Sequence, residues 1–329
     1  MSKLRLTMAC WNYDRVAALA DGRVRPEGID LNLLNLPVEE TFFRMMRHRE
    51  FDVAEMSLSS YVVSLADPKP PFIAIPVFPS RAFRHSAIYI NTASGIRSPH
   101  DLIGKTVGSP EYQLTACVWV RGLLTHEYGV PLTSVTYHTG GQEEPGRTEK
   151  QRLQLPPEIR LQRIAPDQTL SSMLARGEID ALYAPRAPST LYSSTSVKRL
   201  FEDFVTVERE YFARTKIFPI MHIVVIRRDI YERHRWVAQS MFKAWSAAQQ
   251  ETYRDLHETS ALKVMLPWLP AHFADTRRIM GDDYWSYGLE PNRTTLATFL
   301  GYAAEQGLAK AELTPEQLFA PETLESFTI

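Results

Sequence analysis

Apolar and polar residues alternate from Lys3 to Ala9, the two-residue period of a strand with one covered face. Trp11-Asn12-Tyr13-Asp14 follows at its end. A short helix from about Arg15 stops near Gly22, Pro26-Glu27-Gly28 is a turn, and Ile29 to Leu34 is a second strand. Between Glu39 and His48, Phe42, Phe43, Met45 and Met46 mark the apolar side of an amphipathic helix. Phe51 to Ser57 is a short strand running into Leu58-Ser59-Ser60-Tyr61, where a serine can cap a helix that reaches about Ala66. Asp67-Pro68-Lys69-Pro70-Pro71 then breaks the chain. Phe72 to Val77 and Ser86 to Asn91 are two apolar strands separated by a polar crossing. Pro76 and Pro79 interrupt the ladder there, because proline has no N–H to donate.

The pattern begins again after Asn91. Ser98-Pro99-His100-Asp101 starts a helix, Thr106 to Gly108 is a strand, and Ser109-Pro110-Glu111-Tyr112 is a turn. Gln113 to Tyr128 is a helix ended by Gly129, and Val135 to His138 is a strand. Thr139 to Pro157 is polar and rich in glycine and proline, and reads as a long, mobile surface excursion. Ile159 to Ile164 is a strand, Thr169 caps a helix that Gly177 ends, and Ala187 to Ile217 is irregular and partly helical. Ile223 to Ile226 is the most β-branched strand of the chain. A long helix runs from Asp229 to about Leu256 with Trp236, Met241, Phe242 and Trp245 on its apolar side. The remainder reads as helical, and Thr314-Pro315-Glu316-Gln317 is a capping box. Strands alternating with helices imply a mainly parallel wound α/β sheet.

Arg49-Glu50-Phe51-Asp52-Val53-Ala54-Glu55 is echoed by Arg176-Gly177-Glu178-Ile179-Asp180-Ala181-Leu182. The echo suggests two lobes of similar wiring, one inserted into the other. Residues 1–92 with 218–329 form the first lobe, and 93–217 form the inserted lobe. Strand ends of both lobes would face a common cleft, since ligands of open α/β sheets bind outside the carboxyl ends of strands.

Composition narrows the partners. The 329 residues are 44% hydrophobic and 23% charged, and the formal net charge is -1. That is ordinary globular material, without the basic face that nucleic acid or an anionic membrane requires. No apolar run approaches the ~20 residues of a membrane span. The N-terminal stretch lacks the long apolar core of a secretory signal. Cys10 and Cys117 make no disulfide framework and no metal spacing. A cytoplasmic protein is the simplest reading. A homo-oligomer is left open.

A family resemblance rests on several longer stretches. They are Cys10-Trp11-Asn12-Tyr13-Asp14-Arg15, Pro37 to Met45, Phe51 to Tyr61, Phe78-Pro79-Ser80-Arg81 with Arg84-His85, Gly108 to Gln113, and Ile217 to His222. Together they resemble the bacterial 4,5-dihydroxyphthalate decarboxylases of phthalate breakdown, and the two-lobed wiring looks like a type 2 periplasmic-binding-protein fold. The resemblance covers nearly the whole chain except Ala187 to Arg199. It implies an intracellular carboxy-lyase acting on an aromatic dicarboxylate. Two alternatives share the scaffold: a non-catalytic receptor or sensor for an aromatic acid, and another lyase such as a menaquinone-pathway enzyme.

The implied chemistry names its residues. Direct loss of CO2 would leave an aryl anion, so the carboxyl-bearing carbon must be protonated first. That needs an anion clamp, a general base and a general acid, and no organic cofactor. Arg81, Arg84 and Arg186 are clamp candidates, because a guanidinium fork matches a carboxylate. His85 and His222, each at the start of a strand near a lobe crossing, suit proton transfer near neutral pH. Glu55, a carboxylate in apolar company, would have its pKa raised by burial and serve as an acid. Glu111 is another candidate of that kind. Trp11, Tyr13 and Tyr112 could stack on the ring or bond its hydroxyls. Ser57 and Ser59 could donate to a carboxylate, or cap a helix. No metal-ligand pattern is visible, although histidine with Glu55 leaves a divalent ion open.

Overall fold

The computed structural model describes residues 3–310 and 312–324. Its contacts divide the chain into two compact units. Unit 1 comprises Met1–Arg81, Ile220–Leu296 and Thr314–Ile329, and unit 2 comprises Ala82–Pro219 and Ala297–Leu313.

Among the described residues, unit 1 is built on five strands: β1 (Leu4–Cys10), β2 (Ile29–Asn35), β3 (Val53–Ser57), β4 (Phe72–Ile75) and, much later in the chain, β11 (His222–Arg227). Their order in the sheet is β2-β1-β3-β11-β4. Strands β2 and β3 run parallel to β1, and β11 runs antiparallel to both β3 and β4. All five residues of β3 are buried, as are the four central residues of β11. A strand covered on both faces reads as a continuous apolar run. Glu55 breaks that rule inside β3, which singles it out.

Unit 2 holds β5 (Ile88–Asn91), β6 (Thr106–Ser109), β7 (Thr136–Thr139), β8 (Arg160–Arg163), β9 (Ala181–Tyr183) and β10 (Val197–Arg199). They lie in the order β10-β5-β9-β6-β7-β8. β6, β7, β8 and β9 are mutually parallel where paired, while β5 runs antiparallel to its neighbours β9 and β10.

Local chemistry sets the helix ends. Ser57 accepts a hydrogen bond from the Ser60 N–H and starts the helix Leu58–Ser64, and Thr169 does the same for Leu170–Arg176 through Ser172. Gly129 and Gly177, both at positive φ, close their helices. Thr314 forms the expected capping box, but over a short 3-10 turn, Pro315–Leu318.

Several expectations are corrected. The first crossover falls after Arg81 rather than at residue 92, because β5 pairs with β9 and β10. Residues 297–313 belong to unit 2, where Phe299 and Tyr302 pack on Trp119. The long helix is two helices, Arg228–Arg233 and Trp236–His257, broken at His234. Trp236, at the start of the longer one, is 44% exposed and off the core. The irregular stretch after Ala187 contains β10 and a twelve-residue helix, Phe204–Thr215. Among the described residues no helix is long and apolar enough to cross a membrane.

Candidate active site

The register of unit 1 brings together two residues 167 positions apart. Glu55 faces Val224 across the β3–β11 ladder, and Ser57 faces His222. Opposed residues share a face, and so do residues two apart along a strand. Glu55, Ser57, Val224 and His222 therefore project to one side of the sheet. Ala9 of β1 lies level with Ala54 of β3, which brings Cys10 beside Glu55. The site thus sits where β1 and β3 end and antiparallel β11 begins, the edge at which open α/β sheets bind ligands.

The Glu55 carboxylate is fully buried and ringed by donors. Oε1 accepts the Tyr13 hydroxyl at 2.6 Å and lies 2.6 Å from His222 Nδ1. Oε2 accepts the Trp11 N–H at 3.0 Å and the Cys10 thiol at 3.4 Å. A carboxylate has about four lone-pair sites, and these contacts use them. Burial is the largest influence on Glu55 and pushes its carboxyl up. The charge of His222, its hydrogen bond and those from Trp11 and Tyr13 outweigh burial and hold the carboxyl below its usual range. This corrects the expectation of a raised, proton-donating Glu55: it is an ionised acceptor. Burial and then the charge of Glu55 push the Tyr13 hydroxyl and the Cys10 thiol up, so both stay protonated and donate.

His222 is held in one orientation. Phe42 meets its ring edge-on, with centroids 4.8 Å apart, and Tyr13 Oη lies 3.4 Å from Nδ1. With Nδ1 committed to Glu55, Nε2 is the nitrogen left to face a ligand. The side chain is 18% exposed, enough for contact with a small molecule. Trp11 is 43% exposed at the same edge. Ser57 and Ser59 are buried in the first turn of the helix that Ser57 caps.

The sequence missed Arg15. Its guanidinium lies against two rings, 4.0 Å from the centroid of Tyr13 and 4.4 Å from that of Trp285. The quoted stretch from Cys10 to Arg15 contained it, but Trp285 comes from a distant loop and gave no local signal. Arg81, by contrast, is turned to structure. It is buried, donates to the Ser286 carbonyl at 2.7 Å and to the Asn292 side chain, and lies over Phe78. Burial pushes its guanidinium down to about 10.

The remaining candidates lie in unit 2. His85 was expected to mirror His222 and does not. It is 1% exposed and caged by the rings of Tyr128, Phe201 and Tyr211, and among the described residues neither ring nitrogen has a hydrogen-bond partner. Burial, helped by Arg214, pushes its pKa down to about 4. Arg84 shares a void of about 10 Å³ with His85, Trp119 and Tyr211, and burial pushes its guanidinium down to about 10. Arg186 is exposed. Glu111 is buried and neutralised by Arg147, which donates through Nε at 2.9 Å and Nη2 at 2.7 Å, and by the Lys150 ammonium. It is a structural ion pair rather than a free acid. These cations, with Glu149 bonded to the Tyr112 N–H at 2.5 Å, pin down the polar stretch expected to be a mobile excursion. Tyr112 is wholly buried, stacked under Arg121 at 3.9 Å, and belongs to the core.

The His85 cage yields a pH prediction. The unfolded chain binds a proton near 6.5 and the folded one only near 4. Above 6.5 the group contributes nothing; as pH falls from 6.5 to 4, the unfolded state is favoured by up to about 3 kcal/mol. His85→Phe should flatten the fall in denaturant midpoint across that window. An unchanged slope would show that His85 does not carry the dependence.

No family model matches the sequence. Among solved structures, the periplasmic sulfonate-binding protein SsuA of Methylobacillus flagellatus aligns with a TM-score of 0.57 at 14% identity, covering 98% of this chain and 93% of its own. SsuA of Escherichia coli aligns at 0.53 and 13%, covering 98% and 99%. The fold is therefore that of the periplasmic-binding-protein class. A curated 4,5-dihydroxyphthalate decarboxylase of Comamonas testosteroni is 44% identical over 330 aligned positions, covering 100% of both chains. One from Pseudomonas putida is 50% identical over 189 residues, 57% of this chain and 73% of the relative. The chain belongs to the 4,5-dihydroxyphthalate decarboxylase family.

Proposed function

We propose that this protein is a carboxy-lyase converting 4,5-dihydroxyphthalate to 3,4-dihydroxybenzoate and CO2 in phthalate degradation. Identity of 44% along the full length of a decarboxylase carries the reading. The Glu55–His222 pair supplies the chemistry it needs.

Each carboxylate of the substrate lies para to a hydroxyl. Glu55 fixes the imidazole through Nδ1, so Nε2 is the atom that takes the phenolic proton. The desolvated carboxylate stabilises the imidazolium that results. The phenolate directs electron density to the para carbon, and a proton delivered there from solvent water gives a cyclohexadienone. Breaking its bond to the carboxylate releases CO2, and the electron pair returns to the ring and restores aromaticity. The phenolate recovers its proton from His222. The net change is one proton consumed and one CO2 released.

Tyr13 and the Trp11 N–H keep the carboxylate of Glu55 in place, and the Trp11 ring is available to lie against the substrate. The two buried free thiols support placement in a reducing cytoplasm.

Purified protein incubated with 4,5-dihydroxyphthalate should release CO2 and 3,4-dihydroxybenzoate in equal amounts. Tight binding without turnover would make it a receptor instead. Among the described residues no cluster of three or more His, Cys, Asp or Glu is arranged to hold a metal ion. The reaction as written closes without a metal, so exhaustive dialysis against a chelator should leave kcat unchanged. Activity lost on dialysis and restored by one added divalent metal would overturn that part of the scheme.

A further inference from the structure

The substrate carries two carboxylates and only one leaves. An ion pair to the leaving carboxylate stabilises the ground state more than the transition state and slows the step, whereas an ion pair to the other adds binding at no such cost. An anchor for the retained carboxylate should therefore lie apart from the proton-transfer nitrogen, on the same sheet edge.

Arg15 has that placement. It follows β1 by five residues, and its guanidinium covers the Tyr13 ring, whose hydroxyl bonds Glu55. The Trp285 ring also lies against it, with its centroid 4.4 Å away. Nε donates to the Pro79 carbonyl at 2.5 Å, and Nη1 to Asp14 at 2.9 Å. Among the described residues nothing takes up the two N–H groups of Nη2. The side chain is 15% exposed. A guanidinium packed against aromatic rings is partly desolvated and presents its remaining donors at its edge, already oriented.

The clamps expected from the sequence are placed less well. Arg81 donates to Ser286 and Asn292, Arg84 is half-buried beside Phe83, Trp119 and Tyr211 in unit 2, and Arg186 is exposed.

Building on the decarboxylase reading, we propose that Arg15 binds the carboxylate that the substrate keeps. It is a binding and specificity residue that distinguishes aromatic acids from plain catechols.

Turnover of 4,5-dihydroxyphthalate by the wild type is measured first; its absence would sink the decarboxylase reading itself. Inhibition by 3,4-dihydroxybenzoate, which retains the carboxylate, is then compared with inhibition by catechol, which has none. In Arg15→Gln the inhibition constant for 3,4-dihydroxybenzoate should rise by about 30-fold, the scale of a lost charged hydrogen bond, while that for catechol stays within about twofold. Arg15→Lys, which keeps the charge without the fork, should show a smaller rise for the acid alone, and it serves if the glutamine variant fails to fold. Equal weakening of both inhibitors would mean that Arg15 only shapes the pocket, and no change in either that the carboxylate lies elsewhere. Each of these two results overturns the assignment while leaving wild-type turnover intact.

Discussion

His222→Ala should lower kcat for 4,5-dihydroxyphthalate by about 10² to 10⁴, the range contributed by a positioned acid–base group, and should change KM far less. The imidazole has one nitrogen tied to Glu55, and in the proposed mechanism the other takes the phenolic proton, so its loss should remove proton transfer and leave the proposed Arg15 contact in place. Single-turnover rates with equilibrium binding of 3,4-dihydroxybenzoate separate the two effects. A variant with normal kcat would remove His222 from the chemistry. A variant whose rate and affinity fall together would make it a binding group.

Glu55→Gln should be nearly as damaging. The amide matches the carboxylate in size, but it cannot carry the charge that stabilises imidazolium, and one of its two heads donates where Glu55 only accepts. Tyr13, Trp11, Cys10 and His222 all converge on this group. At least one buried donor would face another donor, at a cost of about 1–3 kcal/mol in stability. Because the folded carboxyl is held below its ordinary value, its contribution to stability is complete above the unfolded carboxyl's titration. That contribution is lost as pH falls through the folded value. The variant should therefore show a lower denaturant midpoint at neutral pH and a shallower decline on acidification. The double variant with His222→Ala should be no slower than His222→Ala alone, since the two act as a unit. Additive losses would mean that Glu55 acts independently.

Much of this was legible in the chain itself. Period and punctuation placed most strands, because alternation and β-branching report burial directly, and Ser57, Gly129 and Gly177 carry their helix ends in their own chemistry. Glu55 and His222 were each conspicuous, one as a carboxylate in an apolar run and the other at the head of a β-branched strand. Their partnership was not visible, since it depends on the register of β11 against β3, and local sequence does not encode a ladder between residues 167 positions apart. The same limit explains the misreadings. His85 and His222 have similar flanks, yet three aromatic rings from separate elements close around His85. Glu111 gave no hint of its partners because Arg147 and Lys150 lie within a stretch whose polarity suggested solvent. Arg15 was unremarkable until Trp285 covered it.

The late return of residues 297–313 to unit 2 bears on how the protein is made. Trp119 packs against Phe299 and Tyr302, Gly122 leaves room for Tyr302 where a methyl would collide with its ring, and buried Arg121 bonds Gln306 at 2.8 Å. Unit 1 in turn waits for β11, at residues 222–227, to join β3 to β4 in its sheet. A ribosome would therefore have to release residues through 227 before unit 1 could complete its sheet, and through about 313 before unit 2 could close its interior. Until those segments emerge, the apolar surfaces around Trp119 and β3 would stay exposed, the condition in which incomplete chains aggregate or engage chaperones.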